Sequence, residues 1–229
     1  MVSVDFKNSK GEEDSYYMEP RLNSNLLDIK KKLKDYDEDY VLVIDGREGS
    51  GKSVFALQVA KRMDENFNLS RVCMNGEQFK ETIYKAKKGQ CVLFDEAFTG
   101  LSSRSSMSEM NRMLVSLMMQ MRQKNLFVII VLPTFFMLDR YCAIFRSRAL
   151  IHITKKDKRR KFWVFNHRKK KKVYLEGKQS LSFLKNKTNF NGRFYGKYTI
   201  DENAYRRKKS KALEEMEKIP DNDKNKIQR

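Results

Sequence analysis

YVLVIDGREGSGKS, residues 40–53, joins an apolar run to a glycine-rich loop. Residues 40–45 predict a buried strand, and the loop that follows fits the pattern G-x-x-x-x-G-K-S/T. Glycines let a backbone bend so that successive N–H groups point at an anion. The helix predicted to begin near Gly51 adds the positive end of its dipole. The stretch therefore predicts a phosphate-binding loop between a strand and a helix.

The loop is expected to bind a nucleoside triphosphate. Lys52 can reach the β- and γ-phosphates, and the Ser53 hydroxyl can ligate Mg²⁺. The predicted cofactors are therefore ATP and Mg²⁺. The residues predicted to bind the nucleotide are Gly46, Arg47, Glu48, Gly49, Ser50, Gly51, Lys52 and Ser53.

Strand-like and helix-like segments alternate through the next hundred residues. Runs rich in Val, Ile and Leu predict further strands at residues 71–74, 90–95, 126–132 and 149–154. Helices are predicted between them, at residues 51–66, 75–89, 107–123 and 135–145. Strands that alternate with helices in this way form a parallel sheet covered on both faces. The predicted fold class is α/β, a P-loop NTPase domain with a central, mostly parallel sheet.

Three segments are expected along the chain. Residues 1–36 form a loose or strand-like lead-in with a short helix at 26–36, and residues 37–155 form the ATPase core. Residues 156–229 form a basic extension. Within it, residues 161–165 and 173–175 are predicted to pair as a β-hairpin, residues 201–218 suit an exposed helix, and about ten residues at the end are expected to be disordered.

Charge divides the chain into a nearly neutral front and a basic back. The formal net charge is +19, which points to a polyanionic partner. Residues 155–229 hold 25 Lys and Arg against 9 Asp and Glu, whereas residues 1–154 hold 23 against 20. This asymmetry predicts nucleotide chemistry in the front part and polyanion contact in the back part.

A second motif is CVLFDE at residues 91–96. An apolar strand that ends in two carboxylates is the pattern of a Walker B site. Asp95 is predicted to hold the Mg²⁺ shell together with Ser53. Glu96 is predicted to polarise the attacking water. Adjacent residues at a strand end point in different directions, so one can face the metal and the other the water.

Hydrolysis also needs groups that sense or stabilise the γ-phosphate. Thr134 follows the strand at residues 126–132, and the C-terminal ends of parallel strands gather at the ligand edge of a sheet. Thr134 is therefore a candidate sensor, with a helix N-cap as the alternative. Arg146 and Arg148 are candidate arginine fingers for a neighbouring subunit, with Arg104 as a further candidate. Each of these arginines could equally be a surface or DNA-contacting residue.

Two basic clusters in the back part suit phosphate-backbone contact, which depends on salt more than on sequence. They are Arg168, Lys169, Lys170, Lys171 and Lys172 in the predicted hairpin turn, and Arg206, Arg207, Lys208 and Lys209 on the predicted helix. Nucleic acid is favoured over an acidic protein or a membrane surface. The aromatic residues Phe190, Phe194, Tyr195 and Tyr198 suit base stacking or docking on the core, and docking is favoured.

Cysteine usage and hydropathy indicate the cellular compartment in which the protein is expected. Three scattered cysteines without metal-ligand spacing, and no signal peptide, predict a reducing cytoplasm. No apolar run reaches the roughly 18 residues that a membrane span needs, so no span is expected.

Residues 46–53, the pair Asp95 and Glu96, a strand followed by Pro133 and Thr134, and the segment RSR at 146–148 together resemble small P-loop ATPases of viruses and mobile elements. These lie near the FtsK–HerA and zonular-occludens-toxin-like DNA-pumping ATPases. The likeness covers about residues 36–155, and FNGRFYGKYTIDENAYRRKK is also similar to the C-terminal part of such proteins. It implies an additional-strand catalytic-glutamate ATPase with sheet order 5-1-4-3-2 and ring assembly. FtsK–HerA members usually have glutamine where this chain has Thr134.

The resemblance and the residues support three functions. The first is an ATPase that couples Mg-ATP hydrolysis to DNA translocation or packaging for a virus or mobile element, as a homo-oligomeric ring with a viral or capsid protein as a further partner. The alternative is a DNA-binding or virion-assembly factor switched by nucleotide. A small-molecule kinase is disfavoured, because no arginine-rich lid or acceptor pocket can be placed, and the Asp95 and Glu96 pair suits water activation better.

Overall fold

The described part of this computed structural model follows the predicted alternation through the core. It comprises residues 2–8, 10–95, 104–183 and 186–217. Within these ranges the strands are β1 (Val2–Lys7), β2 (Glu13–Met18), β3 (Tyr40–Gly46), β4 (Val72–Cys73), β5 (Cys91–Phe94), β6 (Phe127–Val131), β7 (Ser147–Lys156), β8 (Arg159–Asn166) and β9 (Phe190–Phe194). The helices are α1 (Pro20–Asp35), α2 (Lys52–Met63), α3 (Gly76–Lys85), α4 (Arg104–Gln120), α5 (His167–Gly177) and α6 (Glu202–Glu217).

A seven-stranded sheet forms the centre, in the order β4-β5-β6-β3-β7-β8-β9. The first five of these strands are parallel, and the antiparallel β8 and β9 extend the sheet beyond β7. The five predicted core strands, numbered 1 to 5 along the chain, correspond to β3, β4, β5, β6 and β7. Read from β7, their order in the sheet is 5-1-4-3-2, so the arrangement implied by the resemblance is confirmed. The parallel strands all end at one edge, here called the loop edge, which carries the glycine-rich loop. They begin at the opposite edge.

Core side chains alternate between the two faces of the sheet. Leu42 and Ile44 of β3 belong to the same buried cluster as α2, α1 and the paired strands β1 and β2. Val41 and Val43 belong to a second cluster, with α3, α4 and α5. All four side chains are at most 2% exposed, as expected for a parallel sheet covered on both faces. The predicted α/β fold class is confirmed.

The lead-in is strand-like, one of its two predicted forms. β1 and β2 pair as an antiparallel hairpin, and the Tyr16 hydroxyl donates to the Gln58 carbonyl oxygen on α2 at 2.7 Å. α1 begins earlier than predicted. The Glu19 side chain caps it by accepting from the Leu22 N–H at 2.7 Å, and Pro20 suits the first helical position.

The predicted β-hairpin of residues 161–165 and 173–175 is wrong. β8 pairs instead with β7, in a register that leaves only Asp157 and Lys158 in the turn. Asp157 has φ of +58°, a left-handed conformation that aspartate tolerates in tight turns. Local turn chemistry at this earlier position therefore decided the strand pairing.

The basic run expected at a hairpin tip forms the first turns of α5. Asn166 caps this helix by accepting from the Lys169 N–H at 3.1 Å, and Lys, Arg, Leu and Glu are strong helix formers. The helix predicted at residues 135–145 does not form as a single α-helix. The segment instead holds a 3₁₀ turn, Phe135–Met137, and a π-helical turn, Cys142–Arg146.

The aromatic segment of the back part joins the core as β9. Phe190 and Phe194 are buried, and the Phe194 ring lies 4.8 Å from that of Phe55 on α2, so the docking prediction is confirmed for these two residues. The predicted exposed helix corresponds to α6, and the disorder expected at the end lies outside the described residues. The three-segment division stays a prediction, although β7 itself continues across residue 155. Among the described residues, no helix is long and apolar enough to cross a membrane.

Candidate nucleotide-binding site

The loop between β3 and α2 has a backbone that requires its glycines. Gly46 has φ of +142°, and a Cβ there would lie 2.3 Å from the Ile153 carbonyl oxygen on β7. Gly51 caps the N-terminus of α2 with φ of +97°. Other L-residues are strained at these angles. The glycine pattern therefore reflects a close passage against β7 and a left-handed entry into α2.

Lys52 folds back across the loop that precedes it. Its Nζ donates to the carbonyl oxygens of Gly46 at 2.7 Å and Arg47 at 3.1 Å. The ammonium group therefore lies over the first residues of the loop, where an enclosed anion would meet it. The Ser50 hydroxyl is buried and has no hydrogen-bond partner among the described residues, so the loop also holds an unused polar group. Arg47, Glu48 and Gly49 are exposed at its tip.

The two predicted metal-binding residues lie side by side. The Ser53 hydroxyl, in the first turn of α2, donates to Asp95 Oδ1 at 3.2 Å. Asp95 follows β5 and is fully buried, with its N–H bonded to the Cys73 carbonyl oxygen. A hydroxyl and a carboxylate supply the hard oxygen ligands that Mg²⁺ prefers. The donor set fits Mg²⁺, while Glu96 lies outside the described residues and its role stays a prediction.

A third residue, which sequence reasoning missed, reaches the same carboxylate. Tyr205 of α6 is 2% exposed and its hydroxyl donates to Asp95 Oδ2. Burial first, and then the negative charge of Asp95, raise the pKa of Tyr205 far above its usual value, so the hydroxyl keeps its proton. The sequence separation of 110 residues left no local signal for this contact. The helix predicted to contact DNA is thus joined directly to the carboxylate predicted to bind the metal.

The candidate sensor Thr134 lies three residues beyond the end of β6, just before the 3₁₀ turn. Its side chain is half-buried and makes no capping hydrogen bond to the following 3₁₀ turn, so the N-cap alternative is not supported. The next residue, Phe135, donates its N–H to Asp45 Oδ2 at 2.8 Å. Asp45 Oδ1 bonds His152 Nδ1 on β7 at 2.8 Å. The fully buried Asp45 therefore links β3 to β7 on one side and to the turn that follows β6 on the other.

A cleft of about 630 Å³ opens beside α2. It lies between Val54 of α2, Arg160 of β8 and the segment at residues 196–206. Arg160 passes close to Gly51, where an added Cβ would lie 3.1 Å from its Nε. That Nε atom is buried and has no partner among the described residues. The cleft therefore lies between the first turn of α2 and the start of α6, and Arg160 on its wall reaches Gly51.

The two favoured arginine fingers lie at the opposite edge, because they precede or begin the parallel strand β7. Arg146 makes a buried ion pair with Asp39, and the two side chains are 13% and 5% exposed. This pair occupies its guanidinium, so Arg146 is corrected from an arginine finger to a residue that joins the starts of β3 and β7. Arg148 is half-exposed and lies 3.9 Å from Glu38. The side chain of Arg104 is outside the described structure.

Of the predicted nucleic-acid contacts, Lys170 is wrong, because its amine is buried and bonds the chain itself, and the half-buried Lys208 also bonds the chain. Lys170 is fully buried and donates to the carbonyl oxygens of Ala143 at 2.6 Å and Ile144 at 2.9 Å. Lys208 donates to the carbonyl oxygens of Leu69 and Val72. Lys170 was predicted in a hairpin turn and Lys208 on a helix, and in neither case does a run of charges show which member faces inward.

The remaining basic residues divide between the two edges of the sheet. Those of α5 lie at the opposite edge, since the helix follows the end of β8, which is antiparallel to β7. Arg168, Lys171 and Lys172 are exposed there, whereas Lys169 is half-buried and donates to the Thr188 carbonyl oxygen at 2.6 Å. On α6, Arg206 and Arg207 are exposed, Arg206 pairs with Glu202 at 2.6 Å, and Lys209 is half-buried.

Burial of Lys170 predicts a pH-dependent stability. Burial, and the positive charges of Arg148 and Lys171, lower the pKa of Lys170 to about 7. The unfolded chain keeps a pKa of about 10.4. Between these values the unfolded state binds a proton that the folded state lacks, so stability from this group rises with pH and is lost as pH falls through about 7.

The free energy of unfolding of the wild type, relative to Lys170→Met, is therefore expected to rise by ~3 kcal/mol between about pH 7 and pH 9.5, at ~1.36 kcal/mol per pH unit. Urea denaturation at both pH values measures it. Lys171→Met, at an exposed position on the same helix, should show no such change relative to the wild type. A difference between wild type and Lys170→Met that does not vary with pH would show that the amine stays charged.

One family model and several solved structures are similar to this chain. The family model of Novel STAND NTPase 3 (nSTAND3) matches residues 24–137, just under half of the chain. A comparison with curated proteins finds no match. The N-terminal domain of zonular occludens toxin from Neisseria meningitidis is structurally similar, with a TM-score of 0.40 and 16% identity over 74% of this chain and 98% of that chain. A KaiC-like protein from Pyrococcus horikoshii gives a TM-score of 0.39 and 13% identity over 56% and 78%.

At these TM-scores the fold assignment rests on the chain's own features. β3, the loop and α2 form a strand–loop–helix cradle that positions Lys52 and Ser53. Asp95 meets Ser53 at the end of β5, and β6 lies as an extra strand between β3 and β5. The match to a model of an NTPase family agrees with this arrangement. The chain is a P-loop NTPase, of the nucleotide-hydrolysing kind with an additional strand between its Walker A and Walker B strands.

Proposed function

We propose that the protein couples hydrolysis of Mg-ATP to DNA translocation or packaging. The observation that carries this proposal is the position of α6. This helix belongs to the basic part of the chain, yet its Tyr205 bonds the carboxylate beside Ser53. Polyanion contact and nucleotide chemistry therefore meet in one folded unit, as coupling between them requires.

The loop and its neighbours supply the chemistry. The phosphates would lie in the cradle of residues 46–53, with Lys52 beside the β- and γ-phosphates. Bound Mg²⁺, held through Ser53 and Asp95, would neutralise charge that develops on the phosphate oxygens. Glu96 would orient and polarise the attacking water, and Thr134 would sense the γ-phosphate. The cleft beside Val54 is the candidate for the nucleoside, because Val54 directly follows Ser53.

The DNA contacts would come from the basic side chains that remain exposed. On α6 these are Arg206 and Arg207, with the half-buried Lys209 beside them. On α5 they are Arg168, Lys171 and Lys172, again with the half-buried Lys169. The two groups lie at different edges of the sheet, and the α6 group is the one joined to the nucleotide site.

We also propose how the protein assembles and in which biological context it acts. A homo-oligomeric ring would bring an arginine to a neighbour's nucleotide, and Arg148 and Arg104 remain the candidates. A viral or mobile-element origin, a capsid partner and a cytoplasmic location follow from the sequence resemblance and the cysteine usage. The division at residues 36 and 155 into lead-in, ATPase core and basic extension belongs to the same proposal.

DNA binding is expected to weaken steeply with salt. A fluorescence-anisotropy titration with labelled duplex and single-stranded DNA, between about 50 and 200 mM salt, should give a linear fall of log affinity with log salt concentration. The double variant of Arg206→Ala and Arg207→Ala should reduce the magnitude of the slope by about one for each phosphate group that these side chains neutralise.

The matched control replaces Lys31 and Lys32, two exposed lysines on α1, with alanine. It removes the same number of charges from a helix outside the basic part, and it should leave the slope unchanged. If the α1 pair lowers affinity as much as the α6 pair, binding follows net charge alone. An affinity that does not vary with salt, or the lack of any binding, would remove DNA as the partner.

A further inference from the structure

Tyr205 contacts the buried carboxylate of Asp95 from outside the Walker motifs. Asp95 is fully buried, and both of its carboxylate oxygens accept hydrogen bonds from this chain. Ser53 donates to Oδ1 at 3.2 Å, and Tyr205 donates to Oδ2. The first partner comes from the phosphate-loop helix α2 and the second from α6, which lies far away in the sequence.

We propose that Tyr205 is a positioning residue of the metal site, which holds the Asp95 carboxylate in the orientation that receives Mg²⁺. This inference rests on the proposed Mg-ATP chemistry and adds a residue to it. A carboxylate oxygen has two lone pairs, so Oδ2 can accept from Tyr205 and still accept from a metal-bound water. The hydroxyl fixes the rotation of the carboxylate, as hydrogen bonds to metal ligands generally do.

Contacts other than the hydroxyl also keep α6 and the preceding segment in place. Gln58 Nε2 donates to the carbonyl oxygens of Tyr195 at 2.7 Å and Lys197 at 2.9 Å. The Thr199 hydroxyl donates to the Leu57 carbonyl oxygen at 3.0 Å, and Lys208 bonds the chain beside β4. Deletion of one oxygen atom therefore leaves the anchorage intact, and a defect in Tyr205→Phe can be assigned to the metal site.

Tyr205 also gives the site a direct link to the basic helix. If docking of α6 favours Mg²⁺ binding at Asp95, then bound Mg-ATP must favour docking of α6 by the same factor. Arg206 and Arg207 directly follow Tyr205, so the proposed DNA-binding side chains lie within a single helical turn of the contact with Asp95.

The test is a binding titration that does not depend on turnover. Affinity for a fluorescent ATP analogue is measured against Mg²⁺ concentration, and in EDTA, for the wild type, Tyr205→Phe and the control Tyr195→Phe, whose ring is 64% exposed. Tyr205→Phe should need about tenfold more Mg²⁺ for half of the metal-dependent gain in affinity. Its affinity in EDTA should equal that of the wild type, and Tyr195→Phe should match the wild type throughout.

A second comparison keeps the proposal falsifiable if Tyr205→Phe is less stable. Tyr205 acts through Asp95, so adding Tyr205→Phe to Asp95→Asn should change the Mg²⁺ requirement by less than about twofold. An unchanged Mg²⁺ requirement in Tyr205→Phe, or a lower one because the hydroxyl competes with the metal, would overturn the inference. If the wild type binds no nucleotide under any condition, the proposed function fails instead.

Discussion

Replacement of Lys52 with alanine is expected to lower ATP turnover by about 10²–10³-fold, the usual loss when a preorganised group that stabilises developing charge is removed. The Lys52 amine is held over the loop by the carbonyl oxygens of Gly46 and Arg47, at 2.7 and 3.1 Å. It is therefore positioned before any phosphate arrives. Steady-state phosphate release with Mg-ATP measures the effect.

The control for this variant is Lys61→Ala in the last turn of the same helix. Lys61 donates to the Glu65 carbonyl oxygen, so its replacement also removes a lysine and a hydrogen bond from α2. It lies at the end of the helix away from the loop, and turnover should stay within about twofold of the wild type. Turnover that survives Lys52→Ala would show that the loop is not the site of phosphate chemistry.

Replacement of Asp95 with asparagine is expected to remove most Mg²⁺-dependent turnover, again by about 10²–10³-fold. Asparagine keeps the size of the side chain but loses the negative charge that a hard dication requires. The change also alters the bonds with Ser53 and Tyr205, because an amide offers one acceptor oxygen where the carboxylate offered two. Phosphate release at several Mg²⁺ concentrations measures the loss, which more Mg²⁺ should partly reverse.

Asp157→Asn is the matched control for Asp95→Asn. Asp157 is exposed in the turn between β7 and β8, and its φ of +58° is a conformation that asparagine adopts readily. The same charge is lost without a change at the metal site, so turnover and its Mg²⁺ dependence should match the wild type. Equal turnover by Asp95→Asn and the wild type would place the metal elsewhere.

Local patterns predicted the parts of the fold that depend on local chemistry. The glycine-rich loop requires positive φ at Gly46 and Gly51, so the motif and the backbone specify the same turn. Apolar strands that alternate with helices predicted the parallel core, and the resemblance implied its order. The end of β5 placed Asp95 at the loop edge, where its contact with Ser53 follows from the fold.

Local sequence patterns failed for residues whose intramolecular contacts are distant in the sequence. Charge alone put Lys170 on a surface, whereas the fold supplies two carbonyl oxygens that accept from its buried amine. Arg146 has the sequence features of an arginine finger, but it pairs with Asp39, 107 residues away. Tyr205 lies in the stretch that resembles the C-terminal part of related ATPases, but no pattern gave it a role, because only the docking of α6 brings its hydroxyl to Asp95. Each of these contacts depends on tertiary packing, which a single sequence does not encode in its local spacing.

ATP hydrolysis driven by DNA is tested most directly by the ATPase rate of the wild type at low salt, measured with Mg-ATP alone and with duplex or single-stranded DNA added. We expect turnover well above that of Lys52→Ala, and a severalfold increase with at least one form of DNA. Turnover that DNA leaves unchanged would contradict a DNA-driven motor and favour a nucleotide switch. A rate no higher than that of Lys52→Ala under every condition would contradict the central claim that this loop hydrolyses ATP.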